Sequence, residues 1–250
     1  MNIAINKTGG LNANALKIIA LVTMTIDHVG LLLMDNAKPM RIIGRIAFPI
    51  FAYMIAEGCR YTKNKRNYFL RIFTLGLICQ AAYYITERSV YQGILMTFSV
   101  SILLSYVVLW VENRIRESHT DGGHINKILL WMIPAVLLLL TAVLCGEIRI
   151  LSIPILPGGW YLSFDYGFYG ILLPVLIVLG RNQKQKLFLA AVGITLTALS
   201  LGGQQWYSLA ALLPLACYNG QKGKWNIKYL FYIYYPLHMA VIYGLSLLVI

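Results

Sequence analysis

The chain has 250 residues, of which 59% are hydrophobic and only 12% charged, and its mean hydropathy is +0.69. So apolar a composition excludes a soluble globular protein and a disordered one, and it identifies a polytopic membrane protein. The net charge of +12 sits in short loops without a basic stripe interleaved with aromatics, which argues against a nucleic-acid partner.

Met1 to Ala15 is polar, with Lys7 as its only charge. The apolar run that follows contains Asp27 and no small-residue cleavage site, so it is expected to be a retained first helix and not a signal peptide, with the mature chain starting at or near Met1. Nine hydrophobic segments follow one another: Leu16 to Met34, Ile43 to Cys59, Phe69 to Thr86, Gly93 to Val111, Lys127 to Cys145, Gly167 to Gly180, Leu187 to Leu201, Trp206 to Tyr218 and Tyr229 to Ile250. The sixth, seventh and eighth are shorter than the roughly 20 residues of a straight span, so eight or ten crossings are the alternatives to nine. With the N-terminus cytoplasmic, sixteen of the 21 Lys and Arg fall inside, and only Lys38, Arg41, Arg45, Arg88 and Arg149 outside. That distribution obeys the positive-inside rule and sends Ile250 outward. The expected fold is all-α, a single transmembrane bundle over residues 1–250, since no loop is long enough to form a domain of its own. Cys59, Cys79, Cys145 and Cys217 lie in or at the ends of hydrophobic segments without CxxC spacing, so no metal site or disulfide framework is expected.

Ionisable residues inside the hydrocarbon are costly and mark function. Asp27 and His28 lie two-thirds of the way along the first segment. Arg41 and Arg45 open the second, four residues apart and hence on one helical face. His28 is a candidate general base or transient nucleophile, because imidazole titrates near neutrality. Asp27 diverges from His28 by about 100° around the helix, so it is expected to orient a group on a neighbouring helix or to pair with Arg45. Lys17 precedes His28 by eleven residues, about 16 Å along the same face. In the last segment His238 follows Pro236, whose missing N–H frees a carbonyl one turn earlier, and kink and histidine together suggest a second wall of one cavity. Glu57, three residues before Arg60, invites an ion pair with it. Two basic loops, one with Arg60, Lys63, Lys65 and Arg66 and one with Lys222 and Lys224, are candidates for holding phosphates, although the charge run of the first is by itself read first as a topology determinant. His119 and His124 in a charged loop are expected to be solvated.

Leu16-Lys-Ile-Ile-Ala, Ile26-Asp-His-Val-Gly30, Arg41-Ile-Ile-Gly-Arg45-Ile-Ala-Phe-Pro49, Ala56-Glu-Gly58, Tyr166-Gly-Phe-Tyr-Gly170, Tyr218-Asn-Gly-Gln-Lys-Gly223 and Tyr232-Ile-Tyr-Tyr-Pro-Leu-His238, taken in order, resemble the TraX family over nearly the whole chain. The chain is also similar to the wider integral-membrane acyltransferases, whose first helix carries a basic residue eleven before a histidine. Lys17 stands here where that group usually has Arg. The resemblance implies a multi-pass protein of the bacterial cytoplasmic membrane that acetylates the N-terminal amine of a membrane-anchored polypeptide such as F-type pilin. It implies acetyl-CoA as donor and no metal. It carries over to His28, Arg41, Arg45 and His238 as residues able to do chemistry, with Asp27 beside them and with Lys17 and the two basic loops toward the CoA phosphates. A glycan or lipoprotein acceptor, a proton-coupled transporter or flippase, and a non-catalytic assembly factor are the competing readings.

Overall fold

The computed structural model describes residues 10–88, 91–120, 126–146, 163–224 and 228–249, so Lys7, His124 and Arg149 lie outside the described residues. Its helices are α1 (Ala13–Leu32), α2 (Lys38–Gly44), α3 (Ala47–Tyr61), α4 (Lys65–Glu87), α5 (Ile94–Thr120), α6 (Lys127–Leu144), α7 (Gly167–Leu179), α8 (Gln183–Leu201), a 3₁₀ stretch (Gly203–Ala211), α9 (Leu212–Ala216) and α10 (Lys228–Val249). Each of the nine hydrophobic segments carries helix, and the chain is an all-α membrane bundle. Among the described residues, seven stretches are long and apolar enough to cross a membrane, with α2 and α3 together forming one, Lys38–Tyr61. The seventh segment is not short after all, because α8 begins at Gln183, in polar sequence ahead of the apolar run.

Asparagines start four of these helices. The side chains of Asn12, Asn64 and Asn126 accept hydrogen bonds from the first-turn N–H groups of α1, α4 and α6, and Asn182 does the same for Gln185 at the start of α8, at 2.9 Å. Each satisfies a donor that the helix itself leaves open, a cap worth about 1 kcal/mol.

By its internal contacts the chain divides into two compact units, residues 1–54 with 190–250, and residues 55–189. In the second, α5 packs against α4, α6 and α7. Small hydroxyl residues on α5 permit close approach to α7: the Ser101 hydroxyl donates to the Ile171 carbonyl at 2.9 Å, and that of Thr97 to the Asp165 carbonyl at 3.0 Å. Only 13 residues long, α7 is nonetheless buried around most of its circumference, through Gly170, Ile171, Leu173, Pro174, Val175, Ile177 and Val178. A helix apolar on all sides belongs in an interior.

In the first unit α1 turns into α2 through Asp35 and Asn36, both left-handed at φ 45° and 58°, a conformation that short polar side chains tolerate. Pro39 sits in the first turn of α2, where its missing N–H costs nothing. The helix breaks at Arg45 and Ile46 and resumes as α3. The eighth segment then runs the length of α1 in the opposite direction. Its 3₁₀ stretch packs on α2, beyond the C-terminal end of α1, while Cys217 and Asn219 exchange backbone hydrogen bonds of 2.8 and 2.9 Å with Leu11 at the N-terminal end. Because a 3₁₀ helix rises about 2.0 Å per residue against 1.5 Å for an α-helix, this short segment covers roughly 25 Å. From the same end α10 returns parallel to α1, with Thr25 against Tyr234 and His28 against His238.

Candidate functional site

The first unit gathers Asp27, His28, Arg41, Arg45 and His238 around the C-terminal half of α1. Asp27, 9% exposed, is clamped by two guanidiniums. Arg41 Nη1 donates to its Oδ2 at 2.7 Å, and Arg45 Nη2 donates to both Oδ1 and Oδ2 at 2.8 Å. The helix break makes this convergence possible: Arg45 leaves the end of α2 and its Nε donates to the Arg41 carbonyl at 3.2 Å, which draws the two heads together. Gly44 lies between them. A Cβ there would stand 2.2–2.5 Å from the Cβ, Cγ and Oδ1 of Asp27, so only glycine lets α2 approach this closely.

On the neighbouring face of α1, His28 Nδ1 lies 3.1 Å from Nε2 of His238, and Nδ1 of His238 lies 3.0 Å from the Tyr234 carbonyl. His238 is 6% exposed. Tyr234 is held as well, with its hydroxyl 2.6 Å from Thr25 Oγ1 and its ring stacked on His238 at 5.2 Å and 8°. One turn closer to the N-terminus of α1, Leu21, Met24 and Ala47 form an apolar layer with Phe51, Phe231, Tyr234 and Tyr235. Below that layer Lys17 places its ammonium 5.2 Å from the centre of the Phe231 ring, within electrostatic range of Lys222. The loop carrying Lys222 and Lys224 is fixed to the start of α1: Ala13 N–H donates to the Gln221 carbonyl at 2.8 Å, and Gly223 (φ +84°) leaves room for Asn14 and Asn12, 2.7–3.0 Å from where its Cβ would be. The unit thus has a basic end, an apolar middle and a histidine–arginine layer.

Asp27, His28, Arg41, Arg45 and His238 therefore stand together, and Lys17 and Lys222 form a second group along α1. Gly44 and Tyr234 are missed by the sequence reading, although a lone glycine between two arginines, and a carbonyl four residues before a histidine on one helix, are both visible signals.

Arg60, Lys63, Lys65 and Arg66 belong to the other unit. Lys63, Lys65 and Arg66 are exposed, with the Lys65 ammonium 5.5 Å from the Tyr106 ring centre. The expected Glu57–Arg60 pair is replaced by two exchanges. Lys186, 5% exposed, donates to Glu57 at 2.5 Å and to the Tyr61 hydroxyl at 3.3 Å. Arg60 binds Glu112 at 3.3 Å and the Val178 carbonyl in the last turn of α7. Long-range partners win because the C-terminal carbonyls of α7 attract a cation that the local pair would have left idle. Outside the helices, the Tyr91 hydroxyl donates to Asp165 Oδ1 at 3.0 Å, and burial, reinforced by the Asp165 charge, holds its phenol above the ordinary range. Among the described residues no cluster of three or more His, Cys, Asp or Glu is placed to hold a metal ion.

Three relatives resemble the chain. It is 21% identical to a probable fimbrial assembly protein FimC, serogroup H1, of Dichelobacter nodosus, over 92% of this chain and 94% of that one. It is 29% identical to an uncharacterized protein of Rickettsia prowazekii (strain Madrid E), over 88% and 73%. To the protein TraX of Escherichia coli it is 34% identical over 101 residues, 40% of each chain. No solved structure matches it. Residues 12–246, which include every residue of the histidine–arginine layer, match the family described as TraX protein, and the chain belongs to that family.

Proposed function

We propose that the protein is a membrane acetyltransferase that moves the acetyl group of acetyl-CoA to the N-terminal amine of a membrane-anchored polypeptide such as a pilin, in the bacterial cytoplasmic membrane. The observation that carries this reading is the histidine pair beside two guanidiniums gathered on one carboxylate, in a chain of the TraX family. The fimbrial assembly relative supports a surface-polymer subunit as acceptor.

In this mechanism His28 takes the proton of the attacking amine. Arg41 and Arg45, held in place by Asp27 before substrate arrives, stabilise the negative charge that develops on the thioester oxygen. Lys17, Lys222 and Lys224 hold the phosphates of the donor by charge-assisted contacts, and its pantetheine arm lies along α1 toward His28. Lys63, Lys65 and Arg66 are a separate exposed basic run, whose part in donor binding is tested by substituting them alone. The break at Arg45–Ile46 and Pro236 within α10 are features a proton-coupled transporter would share. Substrate movement in proteoliposomes without acetyl-CoA would favour that second reading.

The decisive experiment supplies radiolabelled acetyl-CoA and a pilin-like peptide to purified protein in liposomes. His28→Ala is expected to lower transfer by about 10²- to 10⁴-fold while acetyl-CoA binding and membrane insertion persist. Near-parental transfer by that variant would remove the base from the mechanism.

A further inference from the structure

We infer that His238, backed by the Tyr234 carbonyl, is a positioning residue that sets the tautomer of His28 and leaves Nε2 of His28 as its single proton acceptor. Its role in catalysis rests on the acyl-transfer reading above; its chemistry does not.

The chain of donors has one direction. A carbonyl oxygen only accepts, so the 3.0 Å contact with Tyr234 places the proton of His238 on Nδ1. A neutral imidazole protonated at Nδ1 carries its lone pair on Nε2. That lone pair lies 3.1 Å from Nδ1 of His28, so His28 Nδ1 is the donor between the rings. The remaining lone pair of His28 is on Nε2. Tyr234 makes this assignment rigid, because its hydroxyl is tied to Thr25 on α1 and its ring lies flat against His238. Asp27, the nearest carboxylate in sequence, is committed to Arg41 and Arg45, so the orienting partner of His28 is a neutral imidazole. In the proposed reaction the amine nitrogen bonds to the acetyl carbon and the C–S bond breaks. The amine proton passes to Nε2 of His28 and from there to the departing thiolate, giving amide and free CoA thiol.

Ring-nitrogen shifts of isotope-labelled histidine, with His28 identified by loss of its signals in His28→Gln, test the assignment in the reconstituted protein. His28 and His238 are both expected to be protonated at Nδ1 and unprotonated at Nε2. His238→Gln keeps an acceptor near the same place and should preserve the His28 signals and lower transfer from acetyl-CoA less than His238→Leu does. His238→Leu removes the acceptor, and should move the His28 Nδ1 proton upfield and lower kcat by about 10- to 100-fold, the range seen when a metal-ligating histidine loses the partner that orients it. A His28 protonated at Nε2 in the parent, or His28 signals and kcat unchanged in His238→Leu, overturns the inference. Expected shifts in a parent protein that transfers no acetyl group would instead overturn the acetyltransferase reading and leave the tautomer assignment standing.

Discussion

In the first unit one carboxylate, Asp27, is shared between two guanidiniums, whereas in the second Arg60 meets Glu112 and Lys186 meets Glu57. Both sets lie largely out of solvent, and taking charges out of water costs several kcal/mol per ion unless partners return it. In the second unit Arg60 and Lys186 are each matched by an acid, and Arg60 also closes the end of α7, so these buried charges hold helices together. In the first, one negative charge faces two positive ones, and the cluster stands beside the linked histidines. The difference teaches that buried charge becomes a candidate for chemistry where it is gathered in unequal ratio, and is structural where acid and base are paired one to one.

The largest effect expected from breaking this contrast is at Asp27. Asp27→Leu leaves two buried guanidiniums without their shared partner and should destabilise the protein by about 3–5 kcal/mol. The matched replacement Glu57→Gln with Lys186→Met removes both charges together and should stay within about 1 kcal/mol of the parent. Thermal unfolding of detergent-solubilised protein compares the two; equal losses would erase the distinction between the units. Next comes Gly44→Ala, which drives a methyl group into Asp27 and should cost about 1–3 kcal/mol by overpacking. If instead its midpoint matches the parent, α2 does not press on α1 as described. The smallest effect sharpens the comparison of the two basic runs. Acetyl-CoA should raise the unfolding midpoint by binding linkage. Lys222→Gln with Lys224→Gln should weaken apparent affinity about tenfold, or ~1.4 kcal/mol. A loss confined to Lys63→Gln, Lys65→Gln and Arg66→Gln would move the donor phosphates to the other basic run.

Much of the candidate site is legible in the sequence. Asp27, His28, Arg41, Arg45 and His238 stand out because ionisable side chains are rare in apolar segments, and rarity there carries meaning. The 11-residue interval from Lys17 to His28 is a helical repeat, so their common face follows from geometry alone. Glu57 shows where such reasoning fails. Its local partner Arg60 is three residues away, yet it binds Lys186, because a helix terminus and a second acid elsewhere in the chain outbid the neighbour. Nothing in the spacing of Glu57 announces a partner 129 residues away. The shortness of the eighth segment was equally ambiguous until its 3₁₀ geometry supplied the missing length.

Hydropathy, the placement of Lys and Arg and the order of the polar phrases thus determined class and helix positions and singled out the candidate site residues, since these depend on local composition and on the period of the helix. Which side chains meet was decided by the tertiary structure. The shared clasp on Asp27, the space that only Gly44 leaves for it, and the one-way line of hydrogen bonds from His28 through His238 to Tyr234 depend on how α1, α2 and α10 approach one another. Approach distances of a few tenths of an ångström separate a hydrogen bond from a clash, and no pattern along the chain encodes them.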